Sequence, residues 1–100
     1  MNKSEIISGA KAIAEKLSAN IEIQEYNQYG WTAIRIYYGS GLCERFIALL
    51  SIPHDNPVIR MFKNDEPVIF KDLEEFEKFA TENAEIQKNV KFDEYIPNCD

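Results

Sequence analysis

The chain has few of the residues from which catalytic and metal sites are usually built. Its 100 residues include one histidine, two cysteines and four glycines. A single histidine, His54, with two cysteines that share no short spacing, Cys43 and Cys99, does not match the ligand pattern of a zinc site. No glycine-rich loop leads into a helix and a lysine, as phosphate binding would require. We therefore expect no enzyme, no metal and no cofactor, and we disfavour a catalytic pair of Cys43 and His54.

Long hydrophobic runs are also missing. The longest unbroken apolar run is residues 46–50, whereas a membrane helix needs about 20 residues. No basic and apolar leader opens the chain, so we expect neither a secretory signal nor a membrane span. These absences predict a soluble protein of the cytoplasm. In that compartment both cysteines are expected to be reduced, and a disulfide that ties the tail to the sheet is the alternative.

Acidic charge is what the chain has in excess, and it lies towards one end. The net charge is −6 at pH 7, from 17 acidic and 11 basic residues. Residues 64–100 hold eleven acids and four lysines, a net of −7, whereas residues 1–63 carry a net of +1. An acidic protein is a poor ligand for nucleic acids and anionic membranes, because both require cationic protein surface. The imbalance predicts a partner with a basic surface.

Helical periodicity appears at both ends of the chain. A first helix is expected over residues 3–19, after a capping box of Asn2 and Glu5, with Ser4 as the alternative cap. A second helix is expected after Asp72, with Glu75 as the box partner, and an apolar side that contains Leu73, Phe76, Phe79, Ala80, Ile86 and Val90. The tail from residue 91 is expected to pack loosely.

Period-two alternation and turn residues predict strands between the two helices. The expected strands are residues 21–24, 31–38, 43–51 and 58–62, with an optional fifth at 67–70. The order is then α-β-β-β-β-(β)-α in one domain that spans residues 1–100. This order predicts an α+β fold: a four-stranded antiparallel sheet, or a five-stranded one, with the N- and C-terminal helices packed on one face.

Alternation also sorts the strand residues into two faces. The set expected to face the helices is Ile21, Ile23, Ile34, Ile36, Tyr38, Phe46, Ala48, Leu50, Ile59 and Met61. The opposite set is Glu22, Gln24, Arg35, Tyr37, Arg45, Ile47, Leu49 and Arg60, with Trp31 at the rim. The plain interpretation of this second set is a solvated face whose arginines pair with Glu22 and Glu44. The alternatives are a protein interface, which arginine and aromatic residues often anchor, and single-stranded nucleic acid stacked on the rings.

Two groups of residues are therefore candidates for partner binding. The first is acidic and lies on the second helix and the tail: Glu74, Glu75, Glu77, Glu82, Glu85, Asp93 and Glu94. The second lies on the sheet: Trp31, Arg35, Tyr37, Arg45 and Arg60.

In size and charge the chain is similar to immunity proteins that neutralise nuclease toxins and to phage inhibitors of bacterial nucleases. This resemblance is one of composition, and it implies a small acidic inhibitor module, phage or bacterial in type, that docks a basic surface of a nuclease or nucleic-acid-binding protein. The alternative function is small-molecule or single-stranded nucleic-acid binding through the sheet residues. A homodimer is also compatible with the pattern, because an open sheet must pair, cover or blunt its edge strands.

Overall fold

The structure is a computed structural model that describes residues 1–90. Within these residues the fold is α+β, with two helices that flank five strands. The elements in chain order are α1 (Lys3–Lys16), β1 (Asn20–Tyr26), β2 (Trp31–Tyr38), a 3₁₀ turn (Gly41–Cys43), β3 (Arg45–Pro53), β4 (Ile59–Lys63), β5 (Glu66–Phe70) and α2 (Leu73–Lys88). The optional fifth strand is therefore present.

The strands form two antiparallel sheets, so the predicted single sheet is not confirmed. β1, β2 and β3 are neighbours in that order, and β4 pairs with β5 in a separate hairpin. Pro53 and Pro57 flank the connection between β3 and β4, and proline cannot donate a ladder hydrogen bond. The two sheets are nonetheless adjacent, because Arg60 Nη2 on β4 donates to Ser51 Oγ on β3 at 3.1 Å.

Both helices begin where the capping residues predict. Asn2 Oδ1 accepts from the Glu5 backbone N–H at 2.8 Å, and Glu5 Oε1 accepts in return from the Asn2 N–H at 3.2 Å. In α2, Asp72 Oδ1 accepts from the Glu75 N–H at 2.8 Å. α1 ends at Lys16, before the predicted end at residue 19, because Ser18 adopts a left-handed backbone with φ of 54°.

One hydrophobic core joins the two helices to the same side of both sheets. Its buried members are Ile6, Ala10, Ile13, Ala14, Ile34, Ile36, Ile47, Ala48, Leu50, Ile52, Ile59, Phe70, Phe76, Ala80 and Ala84. Phe70 and Phe76 meet edge to face with their ring centroids 5.3 Å apart. Each large side chain buried here stabilises the fold by about 1.5–3 kcal/mol. The opposite side of the sheets faces away from the helices, and we call it the outer face.

A β-bulge in β3 reverses part of the predicted sorting. Ile36 pairs with Ala48, but the next residue of β2, Tyr37, pairs with Phe46, so Ile47 is the extra residue. As a result, Ile47 is buried at 1% exposure and Phe46 is 40% exposed. Strict alternation predicts the opposite for both residues, and that prediction is wrong. The bulge also frees the Ile47 carbonyl oxygen, which accepts from Asn83 Nδ2 on α2.

The same bulge changes the side on which Arg45 lies. Arg45 pairs with Tyr38, and its guanidinium lies over the Tyr38 ring at 5.9 Å from the centroid. Arg45 Nη1 also donates to the Gln87 carbonyl oxygen of α2 at 3.4 Å. Arg45 therefore lies on the helix side, and its predicted place among the outer residues is wrong.

The apolar side of α2 is also shifted from the prediction. Phe76, Ala80 and Ala84 form the buried row, whereas Ile86 is 62% exposed and Val90 is 38% exposed. A spacing of four residues keeps the small Ala84 above the sheet and turns Ile86 away from it.

Cys43 is disulfide-bonded, so the prediction of a reduced thiol is wrong for this residue. The sequence contains one other cysteine, Cys99, which lies outside the described residues together with the rest of the predicted loose tail. Cys43 belongs to no short cysteine motif, so pattern analysis gives no sign of its bond.

Candidate functional site

Acidic side chains cover the solvent side of α2. Because Phe76, Ala80 and Ala84 point into the core, the helical period turns the intervening residues outwards. We call this surface the acidic face and define it by Glu74, Glu75, Glu77, Glu82 and Glu85. Glu77 is half-buried and the other four are exposed. The two remaining residues of the predicted acidic group, Asp93 and Glu94, lie outside the described residues.

The acids of this face differ in whether a base neutralises them. Glu77 Oε1 lies 3.1 Å from Lys16 Nζ on α1, and Glu85 Oε1 lies 3.5 Å from Lys88 Nζ. Within residues 1–90, Glu74, Glu75 and Glu82 form no ion pair. The negative charge of these three side chains is therefore open to a partner.

A broad open depression of about 650 Å³ runs beside the first half of α2. Its lining residues are Lys71, Asp72, Glu74, Glu75, Glu77, Lys78, Thr81 and Glu82. The lining therefore contains five carboxylates and two ammonium groups. One of the carboxylates, Asp72, accepts the capping hydrogen bond of α2. A shallow surface with excess negative charge suits contact with a cationic surface better than it suits enclosure of a small ligand.

The outer face carries the second predicted group, and Arg35 lies at its centre. Arg35 Nη1 donates to Glu22 Oε2 at 2.7 Å, and Arg35 Nη2 donates to Glu44 Oε2 at 2.9 Å. The same guanidinium lies 5.1 Å from the ring centroids of both Tyr37 and Phe46. Both ends of this arginine are therefore already bound within the chain.

Tyr37 belongs to the same network. Its hydroxyl donates to Glu22 Oε1 at 2.6 Å, and Phe46 packs against its ring with centroids 6.2 Å apart. The hydrogen bond to Glu22 raises the pKa of Tyr37 above its ordinary value of 10.0, and burial raises it further. Tyr37 is 8% exposed, so it supports the face more than it contacts a partner.

Arg60 differs from Arg35 because it has no carboxylate partner within residues 1–90. Its guanidinium lies over the Phe62 ring at 5.1 Å from the centroid. Its Nη2 donates to Ser51 Oγ, while its buried Nε has no hydrogen-bond partner in the described part of the chain. One cation on the outer face is therefore uncompensated.

An apolar groove of about 310 Å³ lies on the same face, and Arg35 is one of its lining residues. Trp31, Ala33, Leu49 and Phe62 are among its lining residues, and Trp31 is held in place by stacking on Tyr26 at 4.6 Å between ring centroids. The structure thus brings Trp31, Arg35, Tyr37 and Arg60 to one face.

Sequence analysis misses the exposed apolar side chains of this face. They are Phe46, Phe62 and Ile69, with exposed fractions of 40%, 53% and 57%. Arg60 pairs with Ile69 and Phe62 with Pro67, so alternation along β4 and β5 could have assigned the last two. Phe46 could not be found in this way because the bulge changes its side.

His54, the single histidine of the chain, lies against a buried threonine. His54 Nε2 and Thr32 Oγ1 are 2.7 Å apart, and Thr32 is fully buried. Within residues 1–90, no group of three or more His, Cys, Asp or Glu side chains is arranged to hold a metal ion. No helix in this part of the chain has the length and apolar character needed to cross a membrane.

Comparison with known proteins assigns no family to the chain. No known protein family matches it, and no solved structure matches it. The chain is 35% identical over 52 residues to "Protein eyes shut homolog" of Danio rerio. That match covers 52% of this chain and 2% of the other protein, so the chain spans a very small part of that protein's length.

Proposed function

We propose that the protein is a small acidic interaction module, of inhibitor type, that docks the acidic face of α2 on a basic surface of another macromolecule. The observation that carries the proposal is the absence, within residues 1–90, of ion pairs at Glu74, Glu75 and Glu82. A basic partner supplies the cations that the chain itself does not.

The strength of such docking follows from exposed charge pairs. One exposed ion pair contributes about 0.2–1 kcal/mol, so three new pairs contribute up to about 3 kcal/mol, which is on the order of a hundredfold in affinity. The net charge of −6 adds long-range attraction that speeds association at low salt. The partner class is therefore a protein with a strongly cationic surface, such as a nuclease or another nucleic-acid-binding protein.

The alternative function, nucleic-acid or small-molecule binding through the outer arginines, has less support. A phosphate at Arg35 would have to displace Glu22 and Glu44, which already occupy both ends of its guanidinium. Arg45 lies on the helix side and donates to Gln87. Arg60 alone is a weak basis for phosphate recognition, because backbone binding depends on several cations.

The test is affinity capture from the native host with three baits. The first is the unmodified chain and the second carries Glu74→Lys, Glu75→Lys and Glu82→Lys. The control bait carries Glu15→Lys, Asp55→Lys and Glu66→Lys, which change the same net charge at exposed acids elsewhere. We expect the unmodified and control baits to retain the same basic protein at low salt, and the α2 bait to lose it.

The affinity for the captured protein then decides the proposal. We expect titration calorimetry to show roughly a hundredfold loss for the α2 variant and a steep decrease in affinity with salt. If the captured protein is a nuclease, its activity should fall when one equivalent of the module is added. A partner that binds the α2 variant as tightly as the unmodified chain contradicts the proposal.

A cytoplasmic location belongs to the same proposal, and Cys43 provides its test. Disulfides persist in oxidising compartments and are rare in the cytosol, so the bond at Cys43 opposes this part of the proposal. Thiol labelling of the protein taken directly from its host decides the point. A labelled Cys43 supports the cytoplasm, and an unlabelled one that labels only after reduction contradicts it.

A further inference from the structure

Large apolar side chains are exposed to solvent on three neighbouring strands of the outer face. Phe46 and Leu49 of β3, Phe62 of β4 and Ile69 of β5 are 40–57% exposed. Leu49 and Phe62 line the same groove, so part of this apolar surface is continuous. Soluble proteins seldom leave a large continuous apolar patch uncovered, and such a patch usually marks an interface.

The charges of this face balance, unlike those of the whole chain. Glu22 and Glu44 carry two negative charges there, and Arg35 and Arg60 carry two positive ones. The net charge of the chain is −6, whereas these four charges cancel, so two outer faces that meet add no net repulsion from them. The charges of this face therefore suit binding to the same face of a second copy of the chain.

The positions of these charges also suit a symmetric pair. The strand registers place Gln24 opposite Ala33, and Ala33 opposite Ser51. Arg60 bonds to Ser51, so Arg60 on β4 and Gln24 on β1 lie at the same level of the face, with β2 and β3 between them. Glu22 is two residues from Gln24 on the same side of β1.

We propose that the protein forms a twofold symmetric dimer through its outer faces, independently of what the acidic face binds. A twofold axis that runs parallel to the strands between β2 and β3 exchanges β1 with β4 and keeps each level, so Arg60 of each copy approaches Gln24 of the other copy. Each Arg60 then gains the side-chain amide oxygen of Gln24 as a hydrogen-bond acceptor, and the exposed Leu49 and Phe62 are covered.

A stable dimer contact requires a modest share of the accessible surface. A stable interface buries roughly 800 Å² on each partner, which is about an eighth of the 6778 Å² accessible surface. The acidic faces lie on the far side of each core from the contact, so they remain outside the dimer. Two packed sheets alone add a separation of about 10 Å, which exceeds the screening length of about 8 Å at physiological salt.

The first test measures mass by sedimentation equilibrium over a wide range of protein concentration. We expect the unmodified chain to dimerise, and Leu49→Asp to raise the dissociation constant by about a hundredfold, because it buries a charge at the centre of the contact. Ile86→Asp, a matched change at an exposed position of α2, should leave the constant within about threefold. An unmodified chain that stays monomeric up to millimolar concentration, or a dimer that tolerates Leu49→Asp, overturns the proposal.

The second test uses a charge exchange between Arg60 on β4 and Gln24 on β1. Arg60→Glu should weaken the dimer, and Gln24→Arg added to it should restore the dimer. Within one copy these residues are about three strand spacings apart, roughly 14 Å, so restoration requires a pair between copies. Failure of the double variant to recover overturns the twofold arrangement, and circular dichroism confirms that each variant is folded.

Discussion

The acidic residues on the two sides of the molecule differ in whether a base is paired with them. On the outer face, Glu22 and Glu44 are held by Arg35, and Tyr37 donates a further hydrogen bond to Glu22. On α2, Glu74 and Glu82 extend into solvent without a base among the described residues. A charge that is already paired contributes to stability within the chain, whereas an unpaired one is available to a partner. Counting acids alone does not distinguish these two cases.

The largest expected difference in stability is between substitutions of Ile47 and Phe46, which the bulge places on opposite sides of β3. Ile47→Ala should lower the free energy of unfolding by about 2–5 kcal/mol, because it leaves a cavity in the core. Phe46→Ala should cost about 1 kcal/mol or less, because Phe46 is 40% exposed. Urea unfolding of both variants measures the difference, and equal losses would contradict the bulge.

A smaller effect should separate the paired acids from the unpaired ones. Arg35→Met removes the partner of Glu22 and Glu44 together with the contact to the Tyr37 ring. We expect a loss of about 1–2 kcal/mol, limited because solvent partly screens these groups. Glu82→Gln on the acidic face should change stability by no more than about 0.5 kcal/mol. If both substitutions have the same effect in urea unfolding, the contrast between the two sides is wrong.

The pH dependence of stability in alkali should report the hydrogen bond between Tyr37 and Glu22 on the outer face. The folded pKa of Tyr37 is raised above 10.0, so its contribution to stability is present below that pH and is lost as the pH rises through the folded pKa. We expect the free energy of unfolding to fall over this range, and to fall less in Tyr37→Phe. Tyr29→Phe, at a 72% exposed turn position, is the control and should follow the unmodified chain.

The smallest effect should appear in acid, at the ion pair that joins α1 to β1. The hydrogen bond and charge of Lys3 lower the pKa of Glu25 below 4.5. Its contribution is therefore present above pH 4.5 and is lost as the pH falls through the folded pKa. Glu25→Gln should flatten this part of the stability profile, whereas Glu82→Gln should leave it unchanged. A profile unaffected by Glu25→Gln would show that the pair does not stabilise the fold.

Local signals predicted most of the elements. The caps at Asn2 and Asp72 mark both helix starts because each requires a short polar side chain just before an apolar periodic run. The glycines at 39 and 41 adopt φ of 80° and 56° and mark the turn before β3. These features depend on a few consecutive residues, so the sequence displays them directly.

Features that depend on partners across the fold were not predictable in the same way. Residues 46–50 are all apolar, so no alternation shows where the bulge falls or which side Phe46 takes. Arg35 is compatible both with a free binding group and with a paired one until Glu22 and Glu44 are placed beside it. The acidic face was predictable in position, but the distinction between Glu77, which pairs with Lys16, and Glu82, which does not, required the packing of α1 on α2.

The extra residue in β3 serves the acidic helix more than it serves the outer face. Deleting Ile47 would leave Phe46 opposite Tyr37 and Arg45 opposite Tyr38, on the sides that they take now, but it would remove a side chain that is buried in the core. It would also remove the carbonyl that Asn83 uses to hold α2 against β3. The loss of one codon would therefore weaken the attachment of the acidic helix, while the side chains of the outer face would keep their places.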